Sequence, residues 1–478
     1  MTIRFSADDL ALFAAATHDR NPLHLSAGYA RKTPFGQQVV YGILGVLASW
    51  SALRVPRGHR LAALVIELSR PMFLDVDYQV VASEKSVQVL DGSTQILKVQ
   101  AEFSTGEDMP PELVAPAAPP RTDADSPDDS ALTPGFSKQG EYRPDPQATS
   151  ALLHRFQIEA PTLPVITLLW SSYFTGMEIP GERALYFKLS LRFADPVARG
   201  VFAWEARLLS KNPLNQLRSE IRISLGGEPA ATGHIEAFVR PKPVPPAEIL
   251  SRSSNLAGKT ALVIGASRGL GAAITRALAL QGAHVLANFQ YSLTEAEQLV
   301  ESLADAPGKV SLQQGDAASL DWNRALLARY GQLDFLILNA CPSVLRMSVE
   351  AAGVERINAY VARGFALVST PLAAFAAGVQ AWTVLISSIY VETAPKEFPQ
   401  YVALKSAAEG LFRTAAQQHR QSGYLIVRPP KLLTDMTNTP YGTRDAITPE
   451  TIATRLVGRL CDTPRKPGQI EMLDRGEN

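Results

Sequence analysis

The chain has 478 residues, which is too long for one hydrophobic core and indicates two or three domains. Its 46% apolar and 19% charged content is that of an ordinary soluble globular protein, and 46 basic residues balance 46 acidic ones, so no net charge favours nucleic acid or a membrane surface. Two cysteines are too few for a disulfide framework or a four-cysteine zinc site, and no apolar run reaches the roughly 18–20 residues of a membrane span. Since acidic residues stand where a signal peptide would be apolar, we expect a cytoplasmic protein with no membrane or nucleic-acid partner.

Two proline-rich breaks divide the chain. Residues 106–146 are rich in Pro, Ala, Asp and Ser, cannot bury enough apolar surface to offset their ordering entropy, and are predicted to be an extended linker. A shorter, stiffer linker is predicted over 241–257. The domains between them are then 1–105, 147–240 and 258–478.

The first two blocks share one pattern, a helical apolar run followed by long alternating strands. The helical runs span 39–53 and 165–177. This predicts an α+β repeat in which two halves form one continuous sheet around two central helices. The strands are predicted at 61–68, 78–83 with 86–90, and 95–103, then at 184–193, 201–210, 216–225 and 232–239.

The third block has a different rhythm, in which short apolar strands alternate with helix-length segments. This is the pattern of an α/β, Rossmann-type, doubly wound parallel sheet. Its strands are predicted at 260–264, 284–289, 310–314, 335–338, 382–386, 424–427 and 470–473.

A glycine-rich turn follows the first strand of the third block. Gly265, Gly269 and Gly271 stand between that strand and an amphipathic helix, where backbone N–H groups can approach a pyrophosphate closely. The second strand ends at 288–292 without an acidic residue for a ribose 2′-hydroxyl, whereas Arg268 can pair with a 2′-phosphate. We therefore predict NADPH rather than NADH; the alternative for Arg268 is a solvated loop arginine.

A Tyr and a Lys lie four residues apart near the end of the same block. Tyr401 and Lys405 fall on one helix face, and a nearby lysine cation is expected to bring the tyrosine pKa toward the working range. Ser388 ends a preceding strand, thirteen residues before Tyr401, where its hydroxyl can hold a carbonyl oxygen.

Together these motifs resemble the short-chain dehydrogenase/reductase family, of the 3-oxoacyl-thioester reductase type. The resemblance implies that Tyr401 is the general acid, that Ser388 orients the carbonyl, and that Lys405 binds the nicotinamide ribose. It also implies that Asp316 contacts the adenine and that the sheet domain forms a homodimer. The implied cofactor-binding residues are Gly265, Ser267, Arg268, Gly269, Leu270, Gly271, Asp316, Asn339, Ala340, Tyr401 and Lys405.

Three positions depart from the family pattern. Cys341 replaces the usual glycine after Asn-Ala, and Arg428 with two prolines replaces the usual Pro-Gly. The fourth catalytic position, an asparagine in the family, falls on Tyr360 by a gapless count, while Asn358 lies two residues away. Either a small deletion brings Asn358 to that position, or the water relay through an asparagine is absent.

An Asp and a His stand five positions apart at the N-terminus. Asp19 and His24 flank an Asn-Pro turn, where a carboxylate and an imidazole can share acid and base work. Gly42 then opens an apolar helix whose N–H groups can face a thioester oxygen. No metal-ligand spacing is found among the remaining histidines.

Residues 5–51 resemble the MaoC-like, (R)-specific enoyl-thioester hydratase family of hot-dog folds. The matching pieces are the Asp-x-Asn-Pro-Leu-His core, Tyr29-Ala30, the segment 33–36 and the Val-x-Gly entry to the helix. The resemblance implies that Asp19 and His24 are the catalytic pair, with Tyr41 where the family has His. The second half lacks this motif and is interpreted as a non-catalytic hot-dog partner.

The leading hypothesis is a bifunctional enzyme that reduces a 3-oxoacyl thioester with NADPH and then dehydrates the 3-hydroxyacyl product, in fatty-acid or polyketide processing. The acyl group would be carried on acyl carrier protein or CoA. One alternative keeps only the reductase, with the hot-dog half as an acyl-binding or docking module. Another treats both halves as a non-catalytic scaffold.

Overall fold

A computed structural model describes residues 1–106, 113, 115, 120–195, 200–242, 251–344, 347, 349, 353–439, 442–461 and 467–473. The chain forms two compact units. The first contains Met1–Pro241, and the second contains Lys242–Asn438 and Gly442–Asn478.

The first unit contains twelve strands and six helices within its described residues. The helices are α1 (Ala7–Thr17), α2 (Pro22–Leu25), α3 (Ala27–Arg31), α4 (Gly42–Ala48), α5 (Pro146–Arg155) and α6 (Leu163–Tyr173). The strands are β1 (Thr2–Ile3), β2 (Val39–Val40), β3 (His59–Leu68), β4 (Met72–Phe73), β5 (Tyr78–Ala82), β6 (Ser86–Asp91), β7 (Thr94–Thr105), β8 (Ser137–Tyr142), β9 (Ala184–Phe193), β10 (Phe202–Lys211), β11 (Gln216–Leu225) and β12 (Glu228–Val239).

Ten of these strands form one sheet in the order β1-β5-β6-β7-β3-β9-β12-β11-β10-β8. The two halves meet where β3 pairs antiparallel with β9, from Ala63 opposite Arg192 to Glu67 opposite Lys188. The Lys188 Nζ also lies 3.0 Å from the Glu67 carboxylate. The predicted continuous sheet of a double hot-dog is therefore confirmed.

The sheet covers a single apolar core that contains α4 and α6. Strands such as β10 alternate buried and exposed residues because only one sheet face meets the core. Nearly every residue of α6 is buried, as expected of a helix enclosed on all sides. Trp170 of α6 packs on Phe174 with ring centroids 5.3 Å apart, and on Trp204 of β10 at 5.7 Å.

The predicted linker 106–146 needs correction, because β8 lies inside it. This strand pairs with β10 from Tyr142 opposite Phe202 to Ser137 opposite Arg207 and forms one edge of the sheet. Its sequence is mostly polar, so it lacks the apolar alternation that indicated the other strands. Gly140 lets β8 lie against the Trp204 ring, because a Cβ on this residue would be only 3.2 Å from the ring.

The predicted helical run 39–53 also differs, because the chain divides it. It contains β2, then α4, then a single 3-10 turn at Trp50–Ala52. In the second half the run is continuous: α6 is followed by a π-type turn at Phe174–Glu178.

The second unit is a seven-stranded parallel sheet, which confirms the predicted Rossmann-type fold. Its order is β15-β14-β13-β16-β17-β18-β19, so the winding reverses between β13 and β16. Ligands of such sheets bind beyond the carboxyl ends of the strands at this switch point. The strands are β13 (Thr260–Ile264), β14 (His284–Phe289), β15 (Lys309–Gln314), β16 (Leu333–Leu338), β17 (Val379–Ile386), β18 (Gly423–Val427) and β19 (Ile470–Leu473).

Seven helices of this unit are described, and they pack into two apolar clusters that contain the sheet residues. Among the described residues, one helical stretch, Val354–Gly378, has the length and apolar composition that could cross a membrane. It contains α10, which packs against α9 and α12 in this unit. The helices are α7 (Gly269–Leu280), α8 (Leu293–Glu301), α9 (Leu320–Tyr330), α10 (Val354–Phe375), α11 (Tyr390–Thr393), α12 (Pro399–Gln418) and α13 (Pro449–Cys461).

Candidate functional site

The turn that carries Asp19 and His24 is fixed by local capping. Helix α1 begins with a capping box between Ser6 and Asp9 and is capped at its C-terminus by His18, whose left-handed backbone (φ 61°) redirects the chain. Asn21 then caps α2, because its Oδ1 accepts from the Leu23 N–H at 3.0 Å. The Asn21 Nδ2 donates to the Gly176 carbonyl at 2.9 Å, so the turn is held from the second half of the sheet unit.

Asp19 is only 2% exposed. The Ser172 hydroxyl donates to its Oδ2 at 2.8 Å, and the Asn21 N–H donates to its Oδ1 at 3.2 Å. Burial raises the pKa of Asp19 to about 7, although both hydrogen bonds act to lower it. At neutral pH this carboxyl is therefore close to half protonated.

The His24 ring is oriented by a backbone carbonyl. Its Nδ1 lies 2.6 Å from the Val39 oxygen, which can only accept, so Nδ1 carries the proton and Nε2 keeps its lone pair in the neutral ring. Burial lowers the pKa of His24 to about 4; the Val39 contact raises it and the Arg240 charge lowers it further. At neutral pH the ring is thus an uncharged base.

Tyr41 contacts both members of this pair. Its hydroxyl donates to the Asp19 carbonyl at 2.7 Å, and its ring stacks on His24 with centroids 3.8 Å apart. Burial raises the pKa of Tyr41 well above its usual value, so the hydroxyl stays protonated. Tyr41 therefore fixes the backbone of one group and the ring plane of the other.

Gly42 is the first residue of α4 and is half-buried. A Cβ at this position would lie 2.6 Å from Leu68 Cδ1, so packing alone already favours glycine. A role for its N–H toward a thioester oxygen stays a prediction.

The glycine loop of the second unit lies at the switch point of its sheet, between β13 and α7. Gly265 (φ 78°) and Gly269 (φ 53°) adopt left-handed backbone conformations that favour glycine. A Cβ on Gly271 would lie 1.9 Å from the Gly265 carbonyl oxygen, and one on Gly265 would lie 2.9 Å from the Ala340 Cα. The loop is therefore tight and keeps the α7 N-terminus clear of side chains, as a pyrophosphate site requires.

Two asparagines brace this loop. Asn339 Nδ2 donates to the Gly265 carbonyl at 2.8 Å, and the Gly265 N–H donates to Asn288 Oδ1 at 3.3 Å. Asn288 Nδ2 also donates to the carbonyls of Gln313 and Gly315 at 3.2 and 3.1 Å. The bracing role of Asn288 was not foreseen from the sequence.

The two predicted cofactor-contacting charges both have protein partners. Arg268, which precedes α7 directly, forms an ion pair with Asp435 at 3.0 Å. Asp316 forms a bidentate pair with Arg363 of α10, with both distances 2.9 Å. Burial acts to raise the pKa of Asp316, but the Arg363 hydrogen bonds hold it below its usual value. Asp316 is therefore an anion whose carboxylate is occupied by Arg363.

Ser388, Tyr401 and Lys405 come together at the carboxyl ends of β17 and β18. Ser388 lies two residues after β17, and its Oγ accepts from the Tyr390 N–H at 3.2 Å. Lys405 Nζ lies 5.6 Å from the Tyr401 ring centroid and donates to the Ile386 carbonyl at 2.7 Å. Helix α12 thus presents its Tyr and Lys beside the end of β17, as the four-residue spacing predicted.

The predicted lowering of the Tyr401 pKa by Lys405 is not seen. Burial raises the pKa of Tyr401, nearby Cys341 raises it further, and the Ser388 hydroxyl opposes them. Burial also lowers the pKa of Lys405, against the opposing effects of Cys341 and Glu409. Desolvation is therefore the dominant influence on the Tyr401 pKa in this arrangement, and the phenol is held in its protonated form.

Tyr360, and not Asn358, faces this group. Asn358 is exposed on α10, whereas Tyr360 is 9% exposed and its hydroxyl donates to the Pro342 carbonyl at 3.2 Å. The Cys341 Sγ lies 3.6 Å from the same hydroxyl. The residue at the gapless position, Tyr360, is therefore the one that the structure brings to this group.

A buried ion-pair network supports Lys405 from one turn further along α12. Glu409 accepts from the Ser387 hydroxyl at 2.6 Å and from Arg428 Nε and Nη2 at 2.8 and 2.7 Å. This explains the departure at Arg428, whose guanidinium joins the end of β18 to α12. Among the described residues, no group of three or more His, Cys, Asp or Glu side chains is placed to hold a metal.

Two protein-family models match separate parts of this chain. Residues 259–444 match the family model for short chain dehydrogenase, and residues 1–74 match the model for the MaoC like domain. The chain joins a MaoC-like domain to a short-chain dehydrogenase domain.

Two curated relatives match the dehydrogenase domain. A 3-oxoacyl-[acyl-carrier-protein] reductase of Staphylococcus aureus is 28% identical over 190 residues, which are 38% of this chain and 77% of the relative. An uncharacterized oxidoreductase of Methylorubrum extorquens is 41% identical over 91 residues, 18% of this chain and 37% of the relative. The chain spans between 34% and 37% of the length of this second relative and of two similar reductases.

Solved structures also align with this domain. A dehydrogenase/reductase from Sinorhizobium meliloti is 26% identical, covers 46% of this chain and 96% of its own, and has a TM-score of 0.41. An alcohol dehydrogenase from Thermococcus sibiricus, complexed with 5-hydroxy-NADP, is 22% identical, covers 46% and 99%, and has a TM-score of 0.40.

The sequence did not indicate the residues of the MaoC-like unit that come from its second half. Ser172, Gly176 and the Glu182 carbonyl all contact the Asp19–Asn21 turn or its neighbour Tyr29. No local signal marks them, because each partner lies more than 150 positions away.

Proposed function

We propose that this chain reduces a 3-oxoacyl thioester with NADPH in its dehydrogenase domain and dehydrates the 3-hydroxyacyl product in its MaoC-like domain. The observation that carries the proposal is that one chain holds two sets of groups suited to consecutive reactions. Ser388, Tyr401 and Lys405 suit carbonyl reduction, while Asp19 and His24 suit removal of the resulting hydroxyl.

The residues of the glycine loop fit a dinucleotide phosphate. Its tight backbone exposes the α7 N-terminus, and Arg268 stands at that terminus, where its guanidinium can turn from Asp435 toward a 2′-phosphate. When bound, NADPH supplies the hydride that adds to C3 of the substrate.

The protein's own part in the reduction is to place the carbonyl and supply a proton. Ser388 hydrogen-bonds the carbonyl oxygen, and Tyr401, which its buried setting keeps protonated, transfers its proton to that oxygen as the alkoxide forms. Lys405, fixed by the Ile386 carbonyl, places a positive charge beside the phenolate that remains.

For the dehydration, the two pKa values assign the roles. His24 Nε2, which carries no proton near neutral pH, removes a proton from C2 of the 3-hydroxyacyl thioester. Asp19 gives its proton to the C3 hydroxyl, which leaves as water as the C2–C3 double bond forms. Microscopic reversibility then requires that the same singly protonated pair serves hydration.

One observation favours the alternative of an acyl-binding module without dehydration. Both Asp19 oxygens already accept hydrogen bonds within the protein, and the side chain is almost fully buried. Of the two side chains, His24 alone is partly exposed to solvent.

A crossed variant experiment tests both assignments on the full-length protein. NADPH oxidation is measured with an acetoacetyl thioester and hydration with a crotonyl thioester, each on CoA and on acyl carrier protein. Tyr401→Phe should lower reduction by about 10²-fold or more and leave hydration unchanged, since it removes the proton donor of one reaction only. Asp19→Asn should have the opposite pattern.

Tyr330→Phe is a matched control, because it removes a tyrosine hydroxyl that accepts from Gln313 at 2.9 Å and has no part in either proposed reaction. Undiminished reduction by Tyr401→Phe would refute the reductase assignment. Reduction without any hydration by the unaltered protein, on either carrier, would favour the acyl-binding module.

A further inference from the structure

The second half of the double hot-dog lacks the Asp-x-x-x-x-His motif, yet it forms one wall around the Asp19 carboxyl. Helix α6 and the turn after it contribute a hydroxyl, a carbonyl and a glycine to that wall. Each contact lies within the first compact unit.

Ser172 provides the hydroxyl. A serine inside a helix commonly bonds a carbonyl of its own preceding turn, and adjacent Ser171 does so, donating to the Leu168 carbonyl at 2.8 Å. The Ser172 hydroxyl instead leaves the helix and donates to Asp19 Oδ2 at 2.8 Å, with both side chains no more than 5% exposed. Two neighbouring serines of equal chemistry thus differ in partner.

The turn after α6 provides the space for the carboxyl. A Cβ on Gly176 would lie 2.4 Å from Asp19 Oδ1 and 2.7 Å from Oδ2, so any larger residue would displace the carboxyl. The same glycine accepts at its carbonyl from Asn21 Nδ2 at 2.9 Å. It lies in the π-type turn Phe174–Glu178, an irregularity that often occurs at functional sites.

We propose that Ser172 is a positioning residue that fixes the Asp19 carboxyl group for proton transfer, an inference that rests on the proposed dehydration. A hydroxyl that donates to a carboxylate stabilises its charged form, so Ser172 also limits how strongly burial favours the protonated acid. In this way a residue of the second half, which lacks the motif, influences the pKa of the carboxyl group in the first half.

The other groups that face Asp19 do not titrate in the same range. Tyr41 precedes α4 and Tyr142 ends β8, and burial raises the pKa of both phenols well above the usual value. Burial lowers the pKa of His18, which precedes Asp19 in the chain, and lowers that of His24 to about 4, so both rings are uncharged in the range of the alkaline limb. Arg20 follows Asp19 in the chain and is exposed. A change in the alkaline limb of the pH profile therefore reports on Asp19.

The test compares crotonyl-thioester hydration by the full chain and its Ser172→Ala, Ser172→Thr and Ser171→Ala variants across pH. Removal of the Ser172 hydroxyl should lower kcat/KM roughly tenfold and move the alkaline limb, expected near the Asp19 pKa of about 7, upward by about one pH unit. Ser172→Thr keeps the hydroxyl and should keep the limb. Ser171→Ala removes an equally buried hydroxyl and should leave the limb in place.

The outcomes separate the two proposals. An unaltered protein that does not hydrate would overturn the dehydratase assignment together with this role, whereas active Ser172→Ala with an unmoved limb would overturn the role of Ser172 alone. If Ser172→Ala does not fold, as judged by its thermal transition, Ser172→Cys supplies the comparison with a weaker donor of similar size.

Discussion

Burial shifts the pKa values of Asp19 and His24 in opposite directions. Burial disfavours the charged form of each group, so it raises the pKa of the carboxyl to about 7 and lowers that of the imidazole to about 4. Between those values the pair holds one proton, and this proton resides on Asp19. The side chain that orders both groups, Tyr41, is itself kept neutral by burial.

Tyr360 allows a prediction at the fourth position of the reductase site. Its buried hydroxyl bonds Pro342 and lies beside Cys341, so Tyr360→Phe should lower kcat for NADPH-dependent reduction about fivefold, the equivalent of one neutral hydrogen bond. Steady-state rates with an acetoacetyl thioester measure this.

The matched control is Asn358→Ala, which alters an exposed side chain two positions away and should leave the rate unchanged. The reverse result, with Asn358→Ala slow and Tyr360→Phe normal, would contradict the placement of Tyr360 at this position.

Single residues could be predicted from the sequence only where chemistry follows a fixed spacing. Tyr401 and Lys405 are such a pair, because helix geometry alone aligns them. Asp316 was expected to contact a cofactor, but its partner Arg363 lies 47 positions away, and no local pattern joins the two. The direction of the Tyr401 pKa shift was wrong for a related reason: burial, which the sequence does not show, is the largest influence on this pKa and raises it.

Among the elements, the loop between β13 and α7 depends most strictly on its glycines. Gly271→Ala would place a methyl group 1.9 Å from the Gly265 oxygen, so we expect a destabilisation of about 1–3 kcal/mol and at least tenfold weaker NADPH binding. Thermal unfolding and a fluorescence titration with NADPH measure the two effects.

Gly410→Ala serves as its control. Gly410 is exposed on α12, and nothing lies within 4 Å of the position that an alanine methyl group would take, so the substitution should stabilise the helix by about 0.5–1 kcal/mol. Equal effects of the two alanines on NADPH binding would argue against a tight cofactor loop.

Elements were predictable where one periodicity ran unbroken. Strands β9 and β13 have the predicted bounds, since alternation or a short buried run defines each. The edge strand β8 was missed because a polar edge needs no apolar face, and its place is fixed by β10 instead. The run 39–53 was predicted as one helix because burial on all sides removes the periodicity that would have marked its breaks.

For the whole molecule, Asp19 predicts how stability depends on pH. Its pKa is raised from 3.8 to about 7 in the folded state, so its contribution is greatest at low pH and is lost as pH rises through that window. Asp19→Asn avoids this loss, and its stability relative to the unaltered chain should grow from pH 4 to 7 by on the order of 1 kcal/mol or more, then level off.

Calorimetry of the first unit's unfolding at several pH values measures this difference. Glu84→Gln, at an exposed turn between β5 and β6, is the control for the loss of a carboxylate outside the core. A constant offset for Asp19→Asn would contradict the raised pKa.

At this scale the sequence was most informative. The contrast between long alternating strands and short buried ones distinguished the two fold classes, and the repeat of helix and strands indicated the double sheet. What a repeat pattern could not show was the division of labour between its halves, because Ser172 reaches Asp19 across 153 positions.

The seam between β3 and β9 has a consequence for symmetry and stoichiometry. A hot-dog assembled from two identical chains would carry two equivalent sites, whereas these two halves are joined in one sheet and carry the Asp-x-x-x-x-His motif once. Every polypeptide therefore holds one Asp19–His24 pair for one Tyr401–Lys405 pair, a one-to-one ratio set by translation itself. Because the second half does not have to carry the same motif, its residues can instead support the site in the first half.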